Sequence, residues 1–434
     1  MTDTRSSRRE VLKAASVIAA AAPVVRLAGA PTTARAATPA AGQKAALATI
    51  DAAFRAAVDA KKVAGVVAIA ATDKGVIYEG AIGRRDMDKG PDMTRDTLFW
   101  IASMTKAVTG TACMQLVEQG KLKLDDPVGE LLPDLAKPQI LEGFDASGQP
   151  KLRPATKPIT LRHLMTHTAG FVYSIWSEPM LQYEKVTGSP FVGSCKTASL
   201  RAPLMFEPGE RWEYGINIDW VGKAVEAVSG QSLEIYFREN IFEPLGMMDT
   251  GFLIRTPQKT RVATMYQRDE AGALSPIPFQ MPQAPEFFMG GGALFSTPRD
   301  YMQFLQMFLH EGTFNGARIL KPETVAMMAQ NQMGDLRVRL LKTTDPKTSR
   351  DADFFPQMVE KWGLSFLINT EPGPAGRSAG SLCWAGLFNT YFWIDPAKKV
   401  TGTIMTQVLP FADETVLQLY GDFEKGVYGA LQSA

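Results

Sequence analysis

Cysteine and histidine are scarce in this 434-residue chain, with three of each. Three cysteines exclude a disulfide scaffold and a multi-cysteine metal site. Three histidines leave little room for a histidine-rich metal centre. An excess of one charge is also missing. Lys and Arg total 46 against 45 Asp and Glu, a net charge of +1, and no basic block stands out, which argues against a nucleic-acid partner. No apolar run approaches the about 20 residues that span a bilayer. Internal repeats are absent, as are low-complexity tracts after residue 42. What remains is ordinary globular usage, 45% hydrophobic and 21% charged, and this excludes a disordered or fibrous chain. At roughly 100–200 residues per domain, the length fits two domains, or one large domain with an insertion.

The N-terminus reads Ser6-Ser7-Arg8-Arg9-Glu10-Val11-Leu12-Lys13 and then runs small and apolar from Ala14 to Val25. A twin arginine, a short weakly hydrophobic core and a later small-x-small site form the pattern of a twin-arginine export signal. Ala28-Gly29-Ala30 is followed by Pro31, which suits a peptidase poorly, so cleavage after Ala36 is expected. Residues 1–36 hold six basic and two acidic residues, so the mature chain carries 40 basic against 43 acidic side chains. The expectation is an exported protein, periplasmic or secreted, with no membrane span.

Periodicity then gives the elements. Residues 45–58 place Leu47, Ile50, Phe54 and Val58 at helical spacing. Residues 65–71 and 76–82 are apolar runs split by Asp73-Lys74-Gly75, turn chemistry that predicts a hairpin. Helices are expected over 103–118, 161–168 (capped by Thr160 and stopped by Gly170), 218–228, 233–241 and 300–309. Strands are expected over 362–368, 387–394 and 400–407, with a turn at Asp395-Pro396 and a closing helix over 411–431. Strands at both ends with helices between predict an α/β fold of the α+β type. One antiparallel sheet, built from residues 37–100 and 295–434, would be flanked by the terminal helices and carry an inserted, mainly helical domain over 101–294. The stretches 171–210 and 256–290 are rich in Pro, Gly and aromatics and read as lid loops.

Three constellations could carry chemistry. Gly376-Arg377-Ser378-Ala379-Gly380 matches the Gly-x-Ser-x-Gly elbow, which needs a strand before it, a helix after it and a downstream histidine. His163, His167 and His310 all lie upstream and strands follow, so a glycine-rich turn is the better reading. His163 and His167, four apart, would share one helix face, but no glutamate accompanies them as in His-Glu-x-x-His, and a structural role is expected in place of metal binding. The third is Ser103-Met104-Thr105-Lys106. Residues i and i+3 share a helix face, so the ammonium can reach the hydroxyl. A buried lysine loses its proton more readily and can then accept one from serine. Such a tetrapeptide is weak alone, but it is the chain's single match. An apolar approach, Phe99-Trp100-Ile101-Ala102, leads into it, and a helix with small residues follows, placing Ser103 at a helix N-terminus that favours developing negative charge.

Here the sequence resembles the serine β-lactamase and penicillin-binding-protein superfamily, in its class C-like branch, and within it the family VIII carboxylesterases. The resemblance covers nearly the whole mature chain. Ser103-Met104-Thr105-Lys106 matches the nucleophile motif. Glu207-Pro208-Gly209-Glu210-Arg211-Trp212-Glu213-Tyr214 matches the tyrosine after a Pro-Gly turn. Trp384-Ala385-Gly386 matches the third motif, on a sheet-edge strand. Residues 160–170 and 290–297 match two further landmarks. The resemblance implies a β-lactamase/DD-peptidase-like fold, catalysis by Ser103, Lys106 and Tyr214, and an oxyanion hole from the backbone N–H groups of Ser103 and Leu387. No metal or organic cofactor is implied.

Departures from the pattern set the subfamily. Class C β-lactamases carry Tyr-x-Asn, whereas Tyr214-Gly215-Ile216 puts Asn217 one place late. Where those enzymes open the third motif with a cation for a substrate carboxylate, this chain has Trp384, which offers apolar surface and one N–H. The resemblance therefore implies a small neutral ester as substrate and a carboxylesterase reaction. Trp384, Gly386, Trp176, Tyr173 and Phe171 are the expected substrate contacts, and Tyr214 is expected to be neutral. Amidase, D-amino-acid peptidase, β-lactamase and acyltransferase reactions on the same fold stay open, as does a non-catalytic penicillin-binding-like protein. Cys113, Cys195 and Cys383 are expected to be buried free thiols.

Overall fold

The structure, a computed structural model, describes residues 41–433; the expected export signal lies outside them. Helix α1 (Ala41–Asp59) turns its apolar stripe, including Ile50 and Phe54, inward. It feeds the hairpin of β1 (Gly65–Thr72) and β2 (Gly75–Gly83). Helical segments follow: α2 (Thr105–Glu118), α3 (Leu161–Met165), α4 (Asn217–Ser229) and α5 (Pro298–Leu309). The chain then returns to the sheet as β3 (Glu360–Trp362), β4 (Leu367–Asn369), β5 (Leu382–Gly386), β6 (Thr390–Asp395) and β7 (Val400–Met405), and closes with α6 (Glu414–Gln432). The seven strands run in the order β3-β4-β5-β6-β7-β1-β2, antiparallel throughout. The N-terminal hairpin thus forms one edge of a sheet whose other strands come from the C-terminal part of the chain.

Side-chain alternation along β6 decides what covers each face. Trp393 packs edge-on against Phe423 of α6, and Phe392 packs against Tyr301 of α5. Helices α1 and α6 therefore lie on one face, and α5 with the other helical segments on the opposite one. Strand β5 pairs with β6 in a register that sets Trp384 opposite Phe392 and Cys383 opposite Trp393. Trp384 consequently faces the helical side. All three cysteines are buried and free.

Several boundaries differ from the sequence reading. The strand expected over 387–394 begins only at Thr390, because Asn389 adopts φ 60° and buries its amide against the carbonyls of Val408 and Pro410, making a turn of residues whose hydrophobicity suggests a strand. Residues 362–368 split into β3 and β4. Helix α3 ends at Met165, so His163 and His167 do not share a helix face, and His167 sits at φ 58° beyond the helix end. The closing helix starts at Glu414, capped by Asp413, which leaves Phe411 outside it. The 171–210 stretch contains a helix, Glu178–Thr187.

The motif Trp384-Ala385-Gly386 was expected on an edge strand, yet β5 is third of seven. Strands β3 and β4 lie outside it, but β4 pairs only with Leu382 and Cys383. Trp384, Ala385 and Gly386 keep strand partners on the β6 side alone. The strand is internal, and its catalytic end is locally an edge.

Candidate active site

The nucleophile segment is a short 3-10 turn, Ala102–Met104, that runs directly into α2. Ser103 precedes the α-helix by two residues, and Lys106 stands in its first turn. Ala102 is held at φ 42°, a left-handed conformation that costs a non-glycine residue about 1–3 kcal/mol and persists only where surroundings impose it. Those surroundings are a glycine run. The carbonyls of Gly290, Gly291 and Gly292 each receive one donor from the nucleophile segment: Thr109 Oγ1, Lys106 Nζ and Trp100 Nε1, all at 2.6 Å. The Ile101 N–H donates to Leu294 O at 3.0 Å.

Lys106 is fully buried. Its Nζ lies 2.6 Å from Gly291 O, 3.1 Å from Tyr173 Oη and 3.2 Å from Ser103 Oγ. Burial pushes its pKa down from that of an ordinary lysine, and the Asp219 carboxylate pulls it partly back. A neutral amine has two N–H donors and one lone pair. In that form Gly291 O and Tyr173 Oη can take the two donors, and the lone pair can accept the Ser103 proton.

Asp219 supports this arrangement from α4. Its Oδ1 accepts the Gly291 N–H at 2.8 Å, while Oδ2 has no hydrogen-bond partner among the described residues. Burial raises its pKa and Lys106 lowers it. A Cβ at Gly291 would stand 2.6 Å from Oδ2, so glycine lets the buried carboxylate sit against the backbone whose carbonyl holds the lysine.

Tyr214 is buried beside Ser103. Its Oη accepts the Trp384 Nε1–H at 2.8 Å. Burial pushes the phenol well above its usual range, and hydrogen bonds with Ser103 and Trp384 offset that only in part. A neutral phenol is therefore the resting form. Lys106 Nζ lies 4.6 Å from the centre of the Tyr214 ring. Trp384 meets Tyr214 edge-on at 4.9 Å, Trp362 at 4.6 Å, and stacks on Phe354 at 4.9 Å. Gly386 is required for a different reason: a Cβ there would stand 2.3 Å from the Ile101 carbonyl, so glycine lets β5 close onto the nucleophile turn.

Ser103, Tyr214, Trp384, Gly386, Leu387 and Trp176 border one cleft of about 20 Å³, with Leu341 and Phe411 completing its wall. The two residues expected to supply oxyanion N–H groups thus meet at this cleft. Phe171 does not line it. Phe171 is 2% exposed and stacks on Trp220, because its carbonyl is tied to Asn217 Nδ2 at 3.2 Å. Tyr173 is likewise no wall residue and instead holds Lys106.

The two rejected constellations have structural jobs. His163 Nδ1 accepts the Thr160 N–H, and Thr160 Oγ1 accepts the His163 N–H, a capping box at the start of α3. His167 is buried against Tyr214 and Trp362, and burial lowers its pKa. Among the described residues, no group of three His, Cys, Asp or Glu could hold a metal ion. Ser378 lies in the turn between β4 and β5, its N–H on Asp395 Oδ2 at 2.9 Å, with no helix after it.

The sequence reading did not single out Asp219, Leu341 or Phe411. An aspartate in the first turn of a helix is an ordinary helix-start residue, so Asp219 gives no signal, and Phe411 reads as part of the closing helix.

An antiparallel sheet covered by terminal helices, with a Ser-x-x-Lys turn, a tyrosine and a Trp-x-Gly strand converging on one cleft, defines the serine β-lactamase and penicillin-binding-protein superfamily. The sequence matches the Beta-lactamase family over residues 50–424, and the chain belongs to it. ML-236A carboxylate methylbutanoyltransferase mlcH of Penicillium citrinum is 33% identical over 396 residues, covering 86% of this chain and 92% of that protein. Lovastatin esterase of Penicillium rubens is 30% identical over 385 residues, covering 85% and 94%. Unliganded simvastatin synthase LovD of Aspergillus terreus superposes with a TM-score of 0.76 at 31% identity, covering 88% of this chain and 98% of that one.

Proposed function

We propose that the chain is a serine carboxylic ester hydrolase that forms an acyl-enzyme on Ser103. One observation carries the reading: fully buried Lys106 places Nζ 3.2 Å from Ser103 Oγ, with Gly291 O and Tyr173 Oη as its other partners, so the neutral amine can take the Ser103 proton. Ser103 Oγ attacks the ester carbonyl and passes its proton to Lys106. The carbonyl oxygen, now negative, takes hydrogen bonds from the Ser103 and Leu387 N–H groups, donors of a kind whose loss costs about 10²–10³ in rate. Tyr214, with its proton in place, sits between the amine side and the cleft and hands a proton to the departing alkoxide. Lys106 then replaces that proton on the phenol. Water enters, the same groups run in reverse, and the acid leaves.

Trp384 supports neutral substrates. Its single N–H is committed to Tyr214, and the remaining indole offers no partner to a carboxylate. A second reading, transfer of the acyl group to an alcohol, is favoured by the names of the methylbutanoyltransferase relatives. Both readings share the acyl-enzyme. The test is a panel of nitrophenyl esters, nitroanilides and a chromogenic cephalosporin, with and without added alcohols. Ester turnover above the others supports the proposal, new ester as main product supports the transferase, and cephalosporin turnover equal to ester turnover contradicts both. Lys106→Arg should be nearly inactive, because a guanidinium stays protonated. Export through residues 1–36 is also proposed, on the twin arginine and the Ala34-Arg35-Ala36 site. A secreted chain beginning at Ala37 by mass spectrometry supports it, and a retained full-length chain contradicts it.

A further inference from the structure

The two oxyanion donors belong to chain segments that a third segment ties together. Ser103 follows Trp100 by three residues, and Leu387 directly precedes Phe388. After β7 ends at Met405, the chain passes through Thr406, Gln407 and Val408. Gln407 is 3% exposed and does not border the cleft. Its side-chain amide pairs with the main chain of Trp100 as a neighbouring strand would. The Trp100 N–H donates to Gln407 Oε1 at 3.2 Å, and Gln407 Nε2 donates to Trp100 O at 3.1 Å and to Thr406 O at 2.7 Å.

The same three residues hold the turn that carries the other donor. The Val408 N–H donates to Phe388 O at 3.2 Å, and Thr406 Oγ1 donates to Asn389 O at 2.9 Å. Asn389 Nδ2 donates back to Val408 O at 2.7 Å. The Trp100 and Phe388 rings meet with their centres 5.2 Å apart. Gln407 is itself fixed, because its carbonyl accepts the Tyr266 N–H at 2.8 Å. A direct bond between the nucleophile segment and the third motif is long, Thr390 Oγ1 to Ile101 O at 3.5 Å. The shorter ties run through residues 406–408. A glutamine suits this place because an amide supplies a donor and an acceptor without charge. An apolar residue would strip the buried Trp100 peptide groups of that partner, and buried peptide groups are rarely left unpaired.

We propose that Gln407 is a positioning residue of the oxyanion hole. It bonds to Trp100 on one side and, through its neighbours, carries the Phe388–Asn389 turn on the other, and so sets the spacing of the Ser103 and Leu387 N–H groups around the substrate's carbonyl oxygen. The inference rests on the acyl-enzyme reading above. Spacing matters here because N–H donors must meet the oxyanion at hydrogen-bond distance, and a misplacement of about 1 Å can cost about 10² in rate.

Gln407→Met tests this, because it keeps the length of the side chain and removes its hydrogen bonds. Gln407→Glu is the conservative variant, which keeps an acceptor for the Trp100 N–H. The probes are 1,1,1-trifluoro-2-decanone and 2-decanone. The first accepts Ser103 Oγ at its carbonyl carbon while the serine proton passes to Lys106, and its oxygen becomes an oxyanion in the hole. The second, without fluorine, binds as the intact ketone. Nitrophenyl acetate kcat/KM and the inhibition constants of both ketones are measured for the native protein and both variants, with folding checked by circular dichroism. In Gln407→Met, kcat/KM should fall at least about tenfold, the inhibition constant of the trifluoroketone should rise by a similar factor, and that of 2-decanone should stay within about twofold. Gln407→Glu should fall between the native protein and Gln407→Met. Equal weakening of both ketones, or trifluoroketone binding that stays unchanged, would overturn the proposal. If Gln407→Met does not fold, Gln407→Glu decides by the same divergence of the two ketones. If the native protein does not hydrolyse nitrophenyl acetate, the ester reading fails on its own, and calorimetric titration with the two ketones judges Gln407. Selective loss of the trifluoroketone in the variant supports its role; parallel loss, or no trifluoroketone binding to the native protein, overturns it.

Discussion

Trp384 donates its indole N–H to the phenol oxygen of Tyr214 at 2.8 Å. The residue that replaces a substrate-binding cation is thus bound to the proposed proton-relay group. Trp384 orients the phenol and partly offsets the rise in its pKa, without supplying charge.

Trp384→Phe removes that N–H, together with part of the indole packing against Trp362 and Phe354. A neutral hydrogen bond contributes about 0.5–1.5 kcal/mol. We expect kcat/KM for a neutral nitrophenyl ester to fall at least about two- to tenfold, with thermal stability also lowered by the gap the smaller ring leaves. Full activity in Trp384→Phe would show that the hydrogen bond does not act in turnover.

Trp384→Lys reverses the substrate argument. A charge-assisted hydrogen bond to a carboxylate contributes about 1.5–3 kcal/mol, roughly 10- to 150-fold in binding. The ratio of kcat/KM for a cephalosporin over a neutral nitrophenyl ester should rise about tenfold or more, measured at one pH and ionic strength. An unchanged ratio in a folded variant would mean that this position does not set substrate charge.

The pH profile reports the Lys106 and Asp219 pair. Catalysis needs neutral Lys106, so kcat/KM should rise with pH through its lowered pKa. The groups around the ammonium are Asp219, Tyr173, Tyr214 and His167; burial pushes the tyrosines up and His167 down, so each is uncharged near neutrality. Asp219 is the one that favours the ammonium. Asp219→Asn removes that support and should shift the acidic limb to lower pH, while peak kcat falls because Gly291 loses its carboxylate anchor. An acidic limb that stays in place, or moves up, would contradict the pairing.

How much of this could be read from the chain alone follows from the range of the interactions. Ser103 and Lys106 are three residues apart on one turn, so local spacing reveals them. Tyr214 and Trp384 are legible only through motif order, because each acts through a contact across more than a hundred residues of sequence. Asp219 was missed since its partner is a backbone N–H 72 residues away. Phe171 was misplaced because an aromatic in a lid-like stretch looks the same whether it lines a cleft or stacks on Trp220. The sheet suffered in the same way. β5 carries consecutive buried residues on both faces, so no alternation marks it, and the β5–β6 turn hides in Leu387 and Phe388, whose hydrophobicity says strand while the left-handed Asn389 says turn.

Ser378 provides a control within the same chain. Its Gly-x-Ser-x-Gly surroundings mimic a nucleophile, but its N–H donates to Asp395 at the end of β6 and its carbonyl accepts from Asn369 at the end of β4. Ser378→Ala should keep at least about half of native activity, since neither of those bonds uses the hydroxyl. A loss of about 10² or more in kcat with the fold intact would reopen the elbow reading.

The most direct test of the central claim is the location of a covalent adduct. The protein is treated with a fluorophosphonate probe, digested, and mapped by mass spectrometry, in parallel with Ser103→Ala. The probe mass is expected on Ser103, in the tryptic peptide 96–106 that ends at Lys106, with no adduct in Ser103→Ala. Labelling at Ser378 or any other residue, or labelling that persists in Ser103→Ala, would contradict it.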